Sequence, residues 1–244
     1  MTSSAGAPTV LAWDAPTRLF HWALVLAIAT SWATYEFSES IGDPVLKWHR
    51  WSGHVVLVLI VWRVLWGFVG TSTARFATFI PSPSEVAGYV WQMRAGAAPG
   101  YLGHNPLGSL MVLALLGLVA AQAVLGLFTV EHNDLTAGPL YRLISEAQQK
   151  LLSAWHGFLF EGVIVWLIAA HIIANVAYGF IRRSPHVSAM LTGRKHAGRF
   201  ADAPAARVPA RPLARAFACL LIAAALVYGT IVALGGRFLQ MALW

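Results

Sequence analysis

Four histidines, His21, His49, His156 and His171, lie inside or at the mouths of long apolar segments of this 244-residue chain. Histidine is rare in lipid-buried helices; where it occurs it faces the bundle interior and serves a pathway or a ligand. Neutral imidazoles from facing helices are the axial ligand set of a b-type haem. The chain has one cysteine, Cys219, which leaves no disulfide framework, no cysteine-held iron–sulfur cluster and no C-x-x-C-H haem attachment. The chemistry these residues point to is non-covalent haem ligation by histidine.

The elements that must hold the histidines are membrane spans. The chain is 58% hydrophobic and 11% charged, with a mean hydropathy of +0.63, whereas a soluble domain carries about 25% charged residues. Lipid must cover much of it. The eleven Trp and six Tyr suit interfacial aromatic belts, and a Trp can equally pack on a planar cofactor. Five stretches are long enough to span: Leu19 to Tyr35, Trp51 to Val69, Leu107 to Val130, Leu151 to Ile181 and Leu213 to Leu234. Asp14-Ala15-Pro16 and Asn105-Pro106 mark helix starts. Phe79 to Arg94 predicts a short interfacial helix. Residues Arg182 to Arg211, rich in Arg, Lys, Ala and Pro, predict a partly disordered loop.

The net charge of +7 is a topology signal and not a nucleic-acid footprint, because the basic residues fall in loops between spans. The loop between spans four and five carries eight Arg or Lys from Arg182 to Arg215 against Asp202, so it is expected on the cytoplasmic side. Counting back puts the N-terminus there too and the C-terminus outside. The opposite loops carry Glu36, Glu39 and Asp43, and Glu131, Asp134 and Glu146. Residues 1–12 hold no positive side chain, so the first span is expected to be retained and not cleaved as a signal peptide.

Depth then pairs the histidines. His49 and His156 sit where their spans enter from outside. His171 lies ~22 Å further along span four, level with His21 near the cytoplasmic side. The expected pairs are His49 with His156 and His21 with His171, one haem each, stacked across the bilayer. Fifteen residues at ~100° each leave His171 about 60° around the helix from His156; a spacing of fourteen would align them better. Arg63, fourteen residues after His49 and about 40° off its face, is placed to meet a propionate of the inner haem, with snorkelling to the surface as its alternative. Gly53, one turn after His49, would let a macrocycle approach the backbone. His54 is the competitor to His49 as a ligand. His104 is expected to be an interfacial capping residue, and His132, His186 and His196 surface histidines. Gln122 predicts an interhelical hydrogen bond, and Glu161 is the carboxylate nearest the histidines within a span.

The segments WDAPTRLFHW (Trp13 to Trp22), KWHRWSGH with RVLWGFVG (Lys47 to Gly70), GHNPLGSLMVL (Gly103 to Leu113), AWHGFL with the later His171, and SAMLTGRK (Ser188 to Lys195) resemble, in this order, the bacterial cytochrome b561 family. That family is related to the b-type cytochrome subunits of nickel–iron hydrogenases. The resemblance implies a four-helix transmembrane core with two b haems on His21, His49, His156 and His171, and electron exchange between quinone and a redox partner. Two departures stand out. The family pattern places the span-four histidines one residue closer, so that either a π-bulge absorbs the extra residue or the outer site is altered. The fifth span lies outside the usual core.

The expected protein is an all-α integral membrane dihaem cytochrome of the bacterial inner membrane. Residues 1–195 form its dihaem domain, 196–212 a cytoplasmic linker and 213–244 an additional C-terminal transmembrane helix. It relays electrons between the quinone pool and a periplasmic partner, a hydrogenase-type subunit or a c-type cytochrome, as a subunit and not a stand-alone catalyst. Its rivals are a self-sufficient superoxide- or ferric-reacting quinone oxidoreductase and a haem-free membrane anchor or transporter.

Overall fold

Local capping chemistry sets where the helices begin. A computed structural model describes residues 8–130, 137–182 and 186–236. After a short strand β1 (Thr9–Leu11), Asp14 accepts from the Thr17 amide at 2.9 Å and opens helix α1 (Ala15–Glu36). Helix α2 (Leu46–Val69) is followed by short helical turns and then α3 (Pro83–Arg94). Ser82 and Glu85 close a reciprocal capping box at the start of α3, with Pro83 at its first position. Asn105 Oδ1 accepts from the Gly108 amide at 2.8 Å to open α4 (Pro106–Gly126), and Ser145 with Gln148 opens α5 (Glu146–Leu159). A π-helical turn at Phe160–Ile164 joins α5 to α6 (Val165–Arg182). Helix α7 (His186–Thr192), strand β2 (Arg194–His196) and helix α8 (Pro212–Ala233) complete the described chain.

Among the described residues, four helices are long and apolar enough to cross a membrane: α2, α4, the run Glu146–Phe180, and α8. Helix α1 has the length, at 22 residues, but Arg18, His21, Thr30, Ser31 and Thr34 dilute its apolar run, and it is not among the four. The C-terminal helix of the sequence reading is among them. Large apolar side chains stand exposed along these helices, Trp166 at 69% and Phe180 at 82%, as lipid contact requires.

The chain divides into two compact units. The first comprises the described parts of residues 1–19, 66–114 and 169–216. In it β1 pairs antiparallel with β2, Val10 opposite Lys195, over a small core of Ala12, Trp13, Leu102 and Ala189. Gly193 is the hinge of this arrangement. Its carbonyl accepts from the Ala12 and Trp13 amides, its φ is +82°, and a Cβ would stand 2.6 Å from the Trp13 carbonyl, so only glycine fits. Both Asp202 oxygens accept at 2.7 Å, from the Leu102 and Gly103 amides, and the Arg207 amide donates to Ser72. The stretch expected to be partly disordered is therefore built, over residues 186–211, from a helix, a strand and a carboxylate clamp. Its partners lie about a hundred residues or more away in sequence. Within this unit Asp14 also accepts from the Thr71 hydroxyl, and Trp66 Nε1 donates to Thr17 Oγ1 at 3.1 Å.

The second unit comprises the described parts of residues 20–65, 115–168 and 217–244. Its core joins Ala27 of α1, Val56 and Ile60 of α2, Val119 of α4 and Ile164 of the π turn. Helix α8 buries one stripe at four-residue intervals, Cys219, Ala223, Val227 and Ile231.

Candidate functional site

The second unit holds a cleft of about 1380 Å³, measured out to its open mouth, lined by residues of α1, α2, α4, α5 and the π turn. His49 of α2 and His156 of α5 face each other across it, ring centroids 6.3 Å apart and planes at 77°. A metal–imidazole bond is about 2.0 Å and a ring nitrogen sits roughly 1.2 Å from its ring centre, so two imidazoles on opposite sides of one metal have centroids about 6.4 Å apart. The observed separation matches.

The tautomers match as well. His49 Nδ1 donates to the Ser31 carbonyl at 2.8 Å and His156 Nδ1 donates to the Gln122 carbonyl at 3.0 Å. A carbonyl only accepts, so Nδ1 carries the proton in each ring and Nε2 keeps the lone pair. This is the hydrogen-bonding pattern that orients a ligating histidine and raises its basicity. Three glycines shape the site. A Cβ on Gly126 would stand 3.1 Å from His156 Cε1, so glycine there admits the ring; Gly53 and Gly157 line the cleft with nothing within 4 Å of the Cβ position. The donor set and the open glycine faces fit a planar macrocycle held between two imidazoles.

The other expected site residues fall as follows. His21, on α1 in the second unit, packs edge-on against Trp22 at 4.9 Å. His171 lies in the first unit, where Asn175 Nδ2 stands 3.4 Å from both its ring nitrogens and donates to its carbonyl at 2.8 Å. Arg63 is 4% exposed within α2. His54 lines the same cleft as His49, but its Nδ1 donates to the Arg50 carbonyl of its own helix at 2.7 Å and its ring stacks on Tyr228. Between His156 and His171 the π turn takes up one residue of the fifteen, which leaves the helical phase of a fourteen-residue spacing.

Three expectations change. His104 is a packing residue and not a cap: its ring lies 4.7 Å from Trp13 and 5.1 Å from Phe79. Gln122 serves through its main-chain carbonyl. His186 is half-buried on α7 against Tyr178, and burial, with the nearby Lys195 charge, holds its imidazole down at about 4. His132, with Glu131 and Asp134, lies outside the described residues. Sequence reasoning passed over Ser31 and Gly126, and Lys195, whose buried ammonium donates to the Tyr101 carbonyl at 3.1 Å. Burial lowers that ammonium to about 8, and Asp202 opposes the shift.

Apolar helices long enough to cross a bilayer, around a cleft with two opposed, carbonyl-anchored imidazoles, define a multi-pass membrane protein whose site fits a planar cofactor. Residues 12–193 match the family described as prokaryotic cytochrome b561. A probable Ni/Fe-hydrogenase B-type cytochrome subunit of Bradyrhizobium diazoefficiens is 23% identical over 224 residues, covering 79% of this chain and 88% of that one. A protein of the same description from Azotobacter vinelandii is 25% identical over 214 residues, 75% and 87% of the two chains. A probable Ni/Fe-hydrogenase 1 B-type cytochrome subunit of Escherichia coli K12 is 23% identical over 195 residues, 67% and 79%. No solved structure matches the chain. The chain belongs to the prokaryotic cytochrome b561 family, and a b-type cytochrome carries haem b.

Proposed function

We infer that the protein is a dihaem electron-transfer subunit of the bacterial inner membrane, passing electrons between the quinone pool and a periplasmic redox partner of the hydrogenase type. The observation that carries the reading is the His49–His156 pair, at the spacing of two imidazoles on one iron with both Nδ1 protons held by carbonyls. The relatives, B-type cytochrome subunits of Ni/Fe-hydrogenases, supply the partner class. When bound, the haem iron supplies one-electron chemistry. The chain's own residues ligate, orient and insulate it.

His49 and His156 would hold the outer haem, in the cleft that Gly53 and Gly157 leave open. His21 and His171 would hold the inner haem, at the depth the sequence assigns them, and the buried Arg63 would supply a cation for a propionate. Helix α1 is a further span, which gives five with α8 and puts the N-terminus in the cytoplasm and the C-terminus in the periplasm. Residues 1–195 form the dihaem domain, and 213–244 are an addition to it.

The test is haem stoichiometry in the detergent-purified protein, by pyridine haemochrome and the reduced-minus-oxidised spectrum. Two b haems per chain are expected. His21→Ala and His171→Ala should remove the same haem and leave the one bound by His49 and His156. A preparation without a Soret band overturns the reading.

A further inference from the structure

The two opposed imidazoles are not supported alike. Among the described residues His156 Nδ1 has one acceptor, the Gln122 carbonyl at 3.0 Å. His49 Nδ1 meets two atoms of a single α1 residue, the Ser31 carbonyl at 2.8 Å and the Ser31 hydroxyl oxygen at 3.3 Å. A ring nitrogen that donates to a carbonyl carries its proton, so towards the hydroxyl it also donates, and Ser31 Oγ accepts. The Nδ1 proton of His49 is shared between two acceptors.

The nearer of those acceptors is shared in turn. Thr34 Oγ1 donates to the Thr30 carbonyl at 2.6 Å and to the Ser31 carbonyl at 3.2 Å. Ser31 and Thr34 are three residues apart and lie on one face of α1. The neighbouring Tyr35 ring lies 5.5 Å from that of His49, centroid to centroid. Neither hydroxyl is needed to place the imidazole, because the Ser31 carbonyl belongs to the main chain and any residue type would supply it. What the hydroxyls alter is how strongly the ring is polarised.

We propose that Ser31 and Thr34 are positioning residues that set the midpoint potential of a haem held by His49 and His156, acting in opposite directions through the Nδ1 proton of His49. The inference rests on the haem reading above. A stronger acceptor at Nδ1 makes the imidazole a more basic ligand, which favours the ferric state. Ser31 Oγ adds acceptor strength and lowers the potential. Thr34 Oγ1 occupies part of the carbonyl that His49 uses, removes acceptor strength and raises the potential.

The experiment is a spectroelectrochemical titration of the full-length protein purified with its haem in detergent, with haem counted by pyridine haemochrome in every preparation. The component that His49→Ala removes identifies the haem concerned, and the other component is the internal control. Ser31→Ala should raise the midpoint of the His49 component by about 30 mV, a threefold change in its reduced-to-oxidised ratio at 59 mV per tenfold. Thr34→Val should lower the same midpoint by a smaller amount, because the Ser31 carbonyl receives the longer branch of the Thr34 bond. The control component should stay in place in both. Ser31→Thr and Thr34→Ser keep the hydroxyls and should titrate close to the wild type. Haem-loaded Ser31→Ala and Thr34→Val proteins at the wild-type midpoint overturn the proposal and leave the cytochrome reading standing. Shifts of the same sign, or equal shifts in both components, also overturn it, since they mark a general loosening of α1. A wild type without haem overturns both. If Ser31→Ala fails to load haem, the fall in midpoint expected of Thr34→Val decides the matter.

Discussion

His156 of α5 donates its Nδ1 proton to the main-chain carbonyl of Gln122 on α4 at 3.0 Å. The bond fixes both the tautomer and the tilt of the ring, and it uses an acceptor that no side-chain substitution at position 122 removes. The ligand half of the pair is therefore separable from its support. His49→Ala and His156→Ala should each abolish the same haem, lowering the reduced-minus-oxidised amplitude by about half in a two-haem protein, whereas Gln122→Leu should keep it. Quantitative haem assay on the three variants checks this.

Gly126 lies one turn beyond Gln122 on α4, and a Cβ there would approach His156 Cε1 to 3.1 Å. That contact is tighter than ordinary packing and can be relieved by a few tenths of an ångström of ring motion. Gly126→Ala should shift the midpoint potential of the haem at His49 and His156 while leaving it bound. Gly126→Val, with two more methyl groups against the imidazole, should displace the ring and lose the haem. Spectroelectrochemical titration separates the two results.

The π turn at Phe160–Ile164 accounts for the fifteen-residue spacing of His156 and His171. A π turn is an α-helix with one residue inserted, so removing one residue from it should restore regular α-helix without rotating the flanking histidines. Deletion of Gly162 is expected to retain both haems. Insertion of an alanine after Gly162 should rotate His171 by ~100° relative to His156 and cost one haem. Pyridine haemochrome on the purified variants reads the difference directly.

Much of this could be read before any coordinates, and the rest fails for identifiable reasons. Asp14 and Asn105-Pro106 announce helix starts because capping is local chemistry, whereas the start of α3 at Pro83, set by Ser82 and Glu85, falls four residues after the expected Phe79. His49 and His156 can be paired by depth because span length is set by the bilayer. Their Nδ1 acceptors could not be read, since they are the backbone carbonyls of Ser31 and Gln122, and every residue type supplies a carbonyl. The order in residues 186–211 was hidden for a different reason. Its Arg, Ala and Pro composition suggests a loop, whereas its structure comes from Arg194–His196 pairing with Thr9–Leu11 and from Asp202 reaching back to Leu102. Those contacts are long-range and leave no local period.

His186 carries a pH dependence. Its folded-state value is about 4 against an ordinary 6.5, with burial the larger cause and the Lys195 charge the smaller. Between those values the unfolded chain binds a proton that the folded chain does not. The stability contributed by keeping the ring neutral is thus complete above about 6.5 and is lost as pH falls towards 4. Discounted for the partial exposure of the ring, the loss should be on the order of 1 kcal/mol. Thermal unfolding at pH 7 and pH 4.5 should show a larger drop in Tm for the wild type than for His186→Phe, which keeps the ring contact with Tyr178 and cannot titrate. Equal drops would remove His186 as the cause.

Asp202 is the sharpest test of whether the basic segment is a built part of the first unit. Its two carboxylate oxygens accept from consecutive amides, Leu102 and Gly103, each at 2.7 Å, and Leu102 is fully buried. Asp202→Ala leaves both amides without these acceptors. Hydrogen bonds to a charged acceptor contribute about 1.5–3 kcal/mol, and a buried donor left unmade costs a comparable amount. The expected destabilisation of the unit is about 2–3 kcal/mol, below the sum of two such bonds because water can reach the partly exposed site. Asp202→Asn keeps one carbonyl oxygen and should cost about half as much. The variants should also differ in where they are cut. With the clamp gone, trypsin should cleave first at Arg199 and Arg207, whereas the wild type should resist there under the same conditions. Equal resistance in Asp202→Ala would mean that strand pairing of Arg194–His196 with Thr9–Leu11 holds the segment without the carboxylate.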